Sequence, residues 1–357
     1  MLRAENFSEE HIRELQRSSR RDPILLERSV YAFGLLEALR RVGMKFIFKG
    51  GTSLMLLLEH PMRLSTDIDI IVPPDTNIDH YLDEAEKIFP FRDKDEQVRV
   101  GKNNIIKRHF KFIYDSPINK APLYILLDVV FEENPYNEIV SREIRNDILM
   151  TEPGFLTVDL PSREDILGDK MTAFAPHTTG IPFDVGKDME IMKQFYDVSC
   201  LLDAISDYEV VGKTFHRVAG NELAYRGLDI PKEKVIEDSF RAAFCIASRG
   251  RVNGDEYKKY VKGIHDVRNH IFAERYSSEI AAHQAPKIMY AMTCLLSGER
   301  FERVEDYTKE AGERFLNREL LSLKYLREAN PEGYAYAIKA DRIIETTPDI
   351  KEKVNLL

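Results

Sequence analysis

The 357-residue sequence predicts an α+β protein: a small mixed β-sheet domain over residues 1–162, then a helical domain over residues 163–357. Three observations carry that prediction. Up to about residue 160, stretches with apolar residues three or four apart alternate with short runs of period two or of unbroken apolar character, the mark of strands. From "REDILGDKMTAF" onward the helical spacing predominates. At the changeover stands "LPSRED", residues 160–165, and the chain shows no low-complexity linker and no internal repeat.

In chain order, "DPILLERSVYAFGLLEALRRVG" predicts a helix capped by Asp22, begun at Pro23 and ended at Gly43. "MKFIFKGG" reads as a short strand running into a glycine turn, and "TSLMLLLEH" as a short helix stopped by Pro61. "DIDIIV" is the next strand, closed by Pro73 and Pro74, and "NIDHYLDEAEKIFP" a surface helix. "NIIKRHFKFIYD" and "PLYILLDVVFE" give two more strands, the second apolar enough to be central. Beyond the changeover, "EIMKQFYDVSCLLDAI", "KVIEDSFRAAFCIAS", "APKIMYAMTCLLSG" and "ERFLNRELLSLKYLREA" all space their apolar residues as helices do.

Hydrophobic residues at 43% and charged residues at 31% describe an ordinary globular chain. A net charge of −9 excludes binding of nucleic acid by overall charge, so contact with a polyanion needs a local basic patch. Cys200, Cys245 and Cys294 lie far apart without zinc spacing and read as reduced core residues. No apolar signal region opens the sequence and no run approaches the length of a membrane span. The expectation is a cytoplasmic protein with no membrane partner.

The chemistry starts from a broken local rule. Read as a strand, "DIDIIV" puts Asp67 and Asp69 on one face and Ile68 and Ile70 on the other. Asp is a poor strand former, and two like charges so close repel. Asp128 stands alone within the apolar strand "YILLDVVF". Three such carboxylates near each other require cations, and magnesium suits an all-oxygen donor set. A pair at i and i+2 with a third on a neighbouring strand can hold two ions, a geometry fitted to in-line displacement at phosphorus.

The double glycine supplies the other half. Gly50 and Gly51 allow backbone amides close to a phosphate, and the helix opening at Thr52 and Ser53 directs its positive end there. Ser53 adds a hydroxyl, and Arg63, just before the acidic strand, can neutralise triphosphate oxygens. Each feature alone has an ordinary reading as a turn, a solvated strand end or a satisfied core acid. Their conjunction in this order points to chemistry.

The stretch "KGGTSLMLLLEHPMRLSTDIDI" resembles the glycine-turn to Asp-x-Asp signature of the DNA polymerase β-like nucleotidyltransferase superfamily. Its R-x-S-x-D-I-D form resembles the AbiEii/AbiGii toxin family of type IV toxin–antitoxin systems. The likeness continues through "LGDKMTAFAPHTTGIP" and "KQFYDVSCLLD", to about residue 203. It implies transfer of a nucleoside monophosphate from NTP to a hydroxyl acceptor, RNA and tRNA in particular, and a cognate antitoxin as protein partner. It further implies that Gly51 and Ser53 cradle the phosphates and that Asp67 and Asp69 bind the metals, with Asp128 as third carboxylate. Arg63 and Ser65 fall where the family has its arginine and small hydroxyl residue; Lys170 matches a lysine expected to reach the triphosphate. Asp197 matches the aspartate of a later segment, where Gln194 departs from the family's aspartate and Lys193 is the remaining charge. Two rivals are a small-molecule nucleotidyltransferase and a catalytically silent nucleotide- or antitoxin-binding module.

Three further stretches bear on the reading. "RVGKNNIIKRHFK", residues 99–111, carries Arg99, Lys102, Lys107, Arg108 and Lys111 without an acid, so it serves as a polyphosphate or RNA surface or as a charged strand edge. His265 and His270 are five apart and so do not form an i, i+4 ligand pair. His177, in a Pro- and Gly-flanked loop, either closes over a nucleotide or shapes the domain junction.

Overall fold

A computed structural model describes residues 1–97 and 106–354. The chain divides into two compact units, residues 1–162 with 269–274, and residues 163–268 with 275 onward. The first unit runs α1 (Glu9–Ser19), α2 (Pro23–Arg41), β1 (Ile47–Lys49), α3 (Gly50–Leu57), β2 (Asp67–Val72), α4 (Asp79–Ala85), β3 (Phe91–Gln97), β4 (Ile106–Asp115), β5 (Pro122–Phe131), β6 (Ile139–Glu143) and β7 (Thr157–Pro161). Its strands form one seven-stranded mixed sheet in the order β3-β4-β5-β2-β1-β7-β6. The pairs β2–β5 and β1–β7 are parallel and the other neighbours antiparallel. β5 is interior, between β4 and β2, as its apolar run predicts.

Strand alternation decides what each face does. Phe48, Ile68, Ile70, Phe110, Phe112, Leu127 and Val129 are all buried on one face of the sheet. Each such burial contributes about 1.5–3 kcal/mol. Helix α2 packs on β2, β5 and α4. It begins as its sequence predicts, with Asp22 accepting from the Leu25 amide, and Gly43 follows its end at a φ of +77°. From α2 the buried Glu27 accepts hydrogen bonds from the Tyr114 and Ser116 hydroxyls, at 3.1 and 3.0 Å, and from the Ile118 amide at 3.2 Å. Strands β3, β6 and β7 escape the sequence reading. β3, "FRDKDEQ", is almost wholly polar because it lies at the sheet's edge, and β6 is the opposite edge.

The second unit is helical: α5 (Arg163–Ala173), α6 (Asp188–Ala204), α7 (Tyr208–Arg226), α8 (Glu233–Ala247), α9 (Gly254–Val267), α10 (Ser278–Ser297), α11 (Thr308–Ala311), α12 (Leu326–Ala329), α13 (Pro331–Thr346) and α14 (Pro348–Lys353). α10 packs on α8 and α13, while α5 packs on α6 and α7. One expected helix is absent. "ERFLNRELLSLKYLREA" is instead irregular to Asn317, then a 3-10 turn over Arg318–Leu323, then α12. The cause is Asp341, fully buried on α13, whose carboxylate accepts from the Leu316 amide at 2.6 Å and the Asn317 amide at 3.0 Å. Those amides are therefore not available to a helix. No disulfide joins Cys200, Cys245 and Cys294, and burial pushes each thiol up to about 12, so they behave as core residues. No helix among the described residues is long and apolar enough to cross a membrane.

Candidate active site

The open face of the sheet carries the acids. Asp67 and Asp69 alternate with buried Ile68 and Ile70 along β2. Asp69 stands in register with Asp128 on the parallel neighbour β5, so all three carboxylates share a face. The row extends to both sides: Lys49 of β1 is the register partner of Asp69, and His109 of β4 is that of Asp128. His109 Nδ1 and Asp128 Oδ1 lie 2.6 Å apart. An ionised carboxylate only accepts, so Nδ1 carries the proton in this contact. Arg28, reaching from α2, places Nη2 3.7 Å from Asp67 Oδ1. The Thr66 hydroxyl donates to the same oxygen at 3.3 Å.

The glycine turn is built against this row. Gly50 has a φ of +80°, and a Cβ there would collide with the Asp69 carboxylate. At Gly51 a different group stands close: a Cβ there would lie 2.5 Å from Arg63 Nη2 and 2.8 Å from Ser65 Oγ, so a side chain would have to displace the guanidinium. Asp69, Gly50, Gly51, Arg63 and Ser65 thus converge, as the sequence reading expects of this turn. Thr52 and Ser53 differ from expectation in what they touch. Both are fully buried; the Thr52 hydroxyl donates to the Asp67 carbonyl at 2.5 Å, and the Ser53 hydroxyl to the Gly50 carbonyl at 2.8 Å. They lock α3 to β2 and close the turn.

Arg63 is held from an unexpected quarter. It forms an isolated β-bridge with Ile271, the Leu64 amide donates to the His270 carbonyl at 2.7 Å, and the Phe272 amide donates to the Met62 carbonyl at 2.9 Å. Residues 269–274 belong to the first unit although the chain on both sides belongs to the second. His270 sits in this segment and His265 on α9.

The remaining candidates lie in the second unit. Lys170 on α5 donates to Gln194 Oε1 at 3.0 Å and pairs with Asp197 Oδ2 at 2.9 Å, both on α6. Lys193 instead pairs with Glu190 at 2.9 Å. His177 donates its backbone amide to Asp238 at 2.8 Å and pairs through Nε2 with Glu256 at 3.1 Å, contacts that shape the second unit itself.

The basic stretch is split by strand alternation. Arg99 and Lys102 lie outside the described residues. Lys107 and Lys111 flank His109 on the acidic face, whereas Arg108 is on the opposite face, paired with Glu96 at 2.7 Å and with Asp79 at 2.8 Å. Arg108 is therefore not part of a basic surface beside the acids, which corrects the grouping made from sequence. His109, Lys49 and Arg28 are the neighbours that sequence reasoning missed. The period-two pattern of β4, polar at 107, 109 and 111 and apolar at 110 and 112, is the signal that locates His109. Nothing in the sequence marks Arg28.

Whether these groups suit a metal ion can be judged from their donors. Three carboxylates on adjacent strands offer only hard oxygen ligands, the set that divalent magnesium takes. As placed, no group of three His, Cys, Asp or Glu among the described residues converges closely enough to hold an ion. Asp128 and Asp67 are each engaged through one oxygen, by His109 and by Arg28. The donor chemistry fits a hard divalent ion.

The family described as "Nucleotidyl transferase AbiEii toxin, Type IV TA system" matches residues 35–282, more than half of the chain. Among curated protein sequences none matches. The chain is similar to the crystal structure of JHP933 from Helicobacter pylori, at 13% identity and a TM-score of 0.41, covering 75% of this chain and 92% of that one. It is also similar to an antigenic nucleotidyltransferase-like protein from Paracoccidioides brasiliensis, at 16% identity and a TM-score of 0.37, covering 56% and 89%.

Proposed function

The chain belongs to the AbiEii family of nucleotidyl transferase toxins of type IV toxin–antitoxin systems, and from that premise we propose that it moves a nucleoside monophosphate from NTP to a hydroxyl of RNA at the acidic face of β2 and β5. The observation that carries this reading is the register of Asp69 with Asp128, with Asp67 on the same face and the Gly50–Gly51 turn packed against them.

In this reading the triphosphate lies at the turn, where the amides opening α3 point and where Arg63 and Ser65 stand beside Gly51. Asp67, Asp69 and Asp128 would hold divalent ions, magnesium by their donor set. Bound there, such ions supply charge neutralisation on the attacking hydroxyl and on the departing pyrophosphate. The acceptor hydroxyl loses its proton to water, and its oxygen forms the new bond to the α-phosphorus as the bond to the bridging oxygen of pyrophosphate breaks. Lys170, Lys193 and Asp197 enter the proposed nucleotide-binding set through the likeness of their motifs. Type IV membership also implies a cognate antitoxin as partner; growth arrest would follow from blocked RNA.

The test is to incubate the full chain with each labelled NTP in turn, total RNA and magnesium. Label in RNA with one or more NTPs, lost on chelation, is expected. Label confined to small molecules would overturn the RNA acceptor, and no transfer to any acceptor would overturn the placement of the reaction.

A further inference from the structure

We propose that Tyr124, with Lys111 beside its ring and Lys107 further along β4 past His109, is a platform for a single-stranded segment of the acceptor, with one base stacked on the Tyr124 ring and the backbone following β4. The inference rests on the reading above that the acceptor is RNA.

Register puts the parts together. Tyr124, Leu126 and Asp128 alternate along β5 onto the acidic face. Lys111 is the partner of Leu126, and Lys107 that of Val130, so both lysines share that face. They lie two residues to either side of His109, steps of about 6.8 Å along the strand, comparable to the step between phosphates of an extended chain.

A lone exposed tyrosine is unremarkable on a protein surface. Tyr124 differs in its neighbours. It is 38% exposed, with Lys111 Nζ 4.5 Å from its ring centroid and the Arg28 guanidinium 5.9 Å from it. Arg28 also reaches Asp67, and its buried Nε has no hydrogen-bond partner among the described residues. The ring is thus tied by a shared cation to the first carboxylate of the site. An ammonium over an exposed ring is a weaker contact than a stacked base. A base can therefore displace Lys111 from the ring, leaving the ammonium to pair with a phosphate.

Position selects acceptor over donor. The glycine turn adjoins β1, on one side of β2; Tyr124 is on β5, on the other side. A triphosphate at the turn and a base on Tyr124 thus lie on opposite sides of β2, the strand that carries Asp67 and Asp69. A duplex does not fit this platform, because its bases stack on one another and are not free to stack on a side chain. Arg108 takes no part, being on the far face.

The experiment measures fluorescence anisotropy of a labelled single-stranded RNA of about ten nucleotides and of its duplex, with the full-length wild type, Tyr124→Ala, Tyr124→Phe and Lys111→Ala. Tyr124→Ala should weaken single-strand binding about 5- to 150-fold, the loss of one base–aromatic stack. Tyr124→Phe should bind as the wild type does. Lys111→Ala should lower the log–log salt slope by about 0.7, one phosphate contact. NTP affinity, measured separately, should be unchanged in all three. Wild-type binding by Tyr124→Ala overturns the platform while RNA labelling by the wild type leaves the broader reading standing. Weakened NTP binding in Tyr124→Ala would assign the ring to the donor base and overturn the acceptor assignment. A wild type that neither binds nor labels RNA overturns both.

Discussion

His109 Nδ1 lies 2.6 Å from Asp128 Oδ1, and Asp128 stands in register with Asp69 on the neighbouring parallel strand. With Lys49 opposite Asp69, four strands contribute one row in which two acids are bracketed by a lysine and a histidine. Two carboxylates this close in a partly buried site repel by a few kcal/mol. The bracketing side chains offset that repulsion in the protein alone, and Arg28 does the same for Asp67.

Gly50 is the most exacting position of the turn. Gly50→Ala should cost about 1–2 kcal/mol for the left-handed backbone. Displacement of the Asp69 carboxylate, which the new Cβ would strike, should add the loss of transfer activity. Urea denaturation and a transfer assay on the same preparation check this. Wild-type activity in the variant would mean that Asp69 is not needed where it stands.

Lys170 and Asp197 form a pair almost out of reach of solvent. Removing one partner leaves a buried charge, so Lys170→Ala should destabilise the protein by about 3–5 kcal/mol. The double variant Lys170→Ala, Asp197→Ala should recover part of that loss. A double-mutant cycle by denaturant unfolding measures the coupling; strictly additive losses would show that the pair does not act as a unit.

Glu27 makes stability depend on pH in a defined direction. Desolvation holds its folded pKa above the usual value of 4.5, against hydrogen bonds from Ser116, Tyr114 and the Ile118 amide. A raised folded pKa means that the stability Glu27 contributes is complete below the unfolded value and is lost as pH rises through the folded one. The stability difference between wild type and Glu27→Gln should therefore favour the wild type most in acid and shrink from about pH 4.5 upward. Melting both proteins across that range is the check, and a difference that grows with pH would contradict the burial of Glu27.

Arg108 separates the two faces of β4. Arg108→Ser should lower stability by up to about 1 kcal/mol, the upper end for surface pairs, through loss of Glu96 and Asp79. The salt slope of RNA binding should stay unchanged. Thermal melts and a salt titration decide it; a flatter slope would put Arg108 in the RNA contact after all.

Legibility in the sequence followed local rules. α2 is readable because Asp22, Pro23 and Gly43 punctuate it, and β2 because Asp67 and Asp69 alternate with Ile68 and Ile70. β3 is not, because an edge strand has no need of apolar residues and its pairing is set by β4. The broken helix near Asn317 depends on Asp341, and the hold on Arg63 on Ile271, partners distant in sequence that no local pattern announces. The same holds for the site: the glycine turn and acids are contiguous motifs, whereas Arg28 and His109 join them only through strand register and helix packing.

The most direct measurement is pyrophosphate release by Asp69→Asn and Asp67→Asn beside the wild type, each supplied with NTP, RNA and magnesium, with thermal melts on the same samples. Asn keeps the shape of each side chain, and the charge it removes both relieves repulsion and gives up a pairing, so both variants should still unfold in one cooperative transition while releasing no pyrophosphate above background. Release at the wild-type rate by either folded variant would contradict the assignment of the reaction to this face of the sheet.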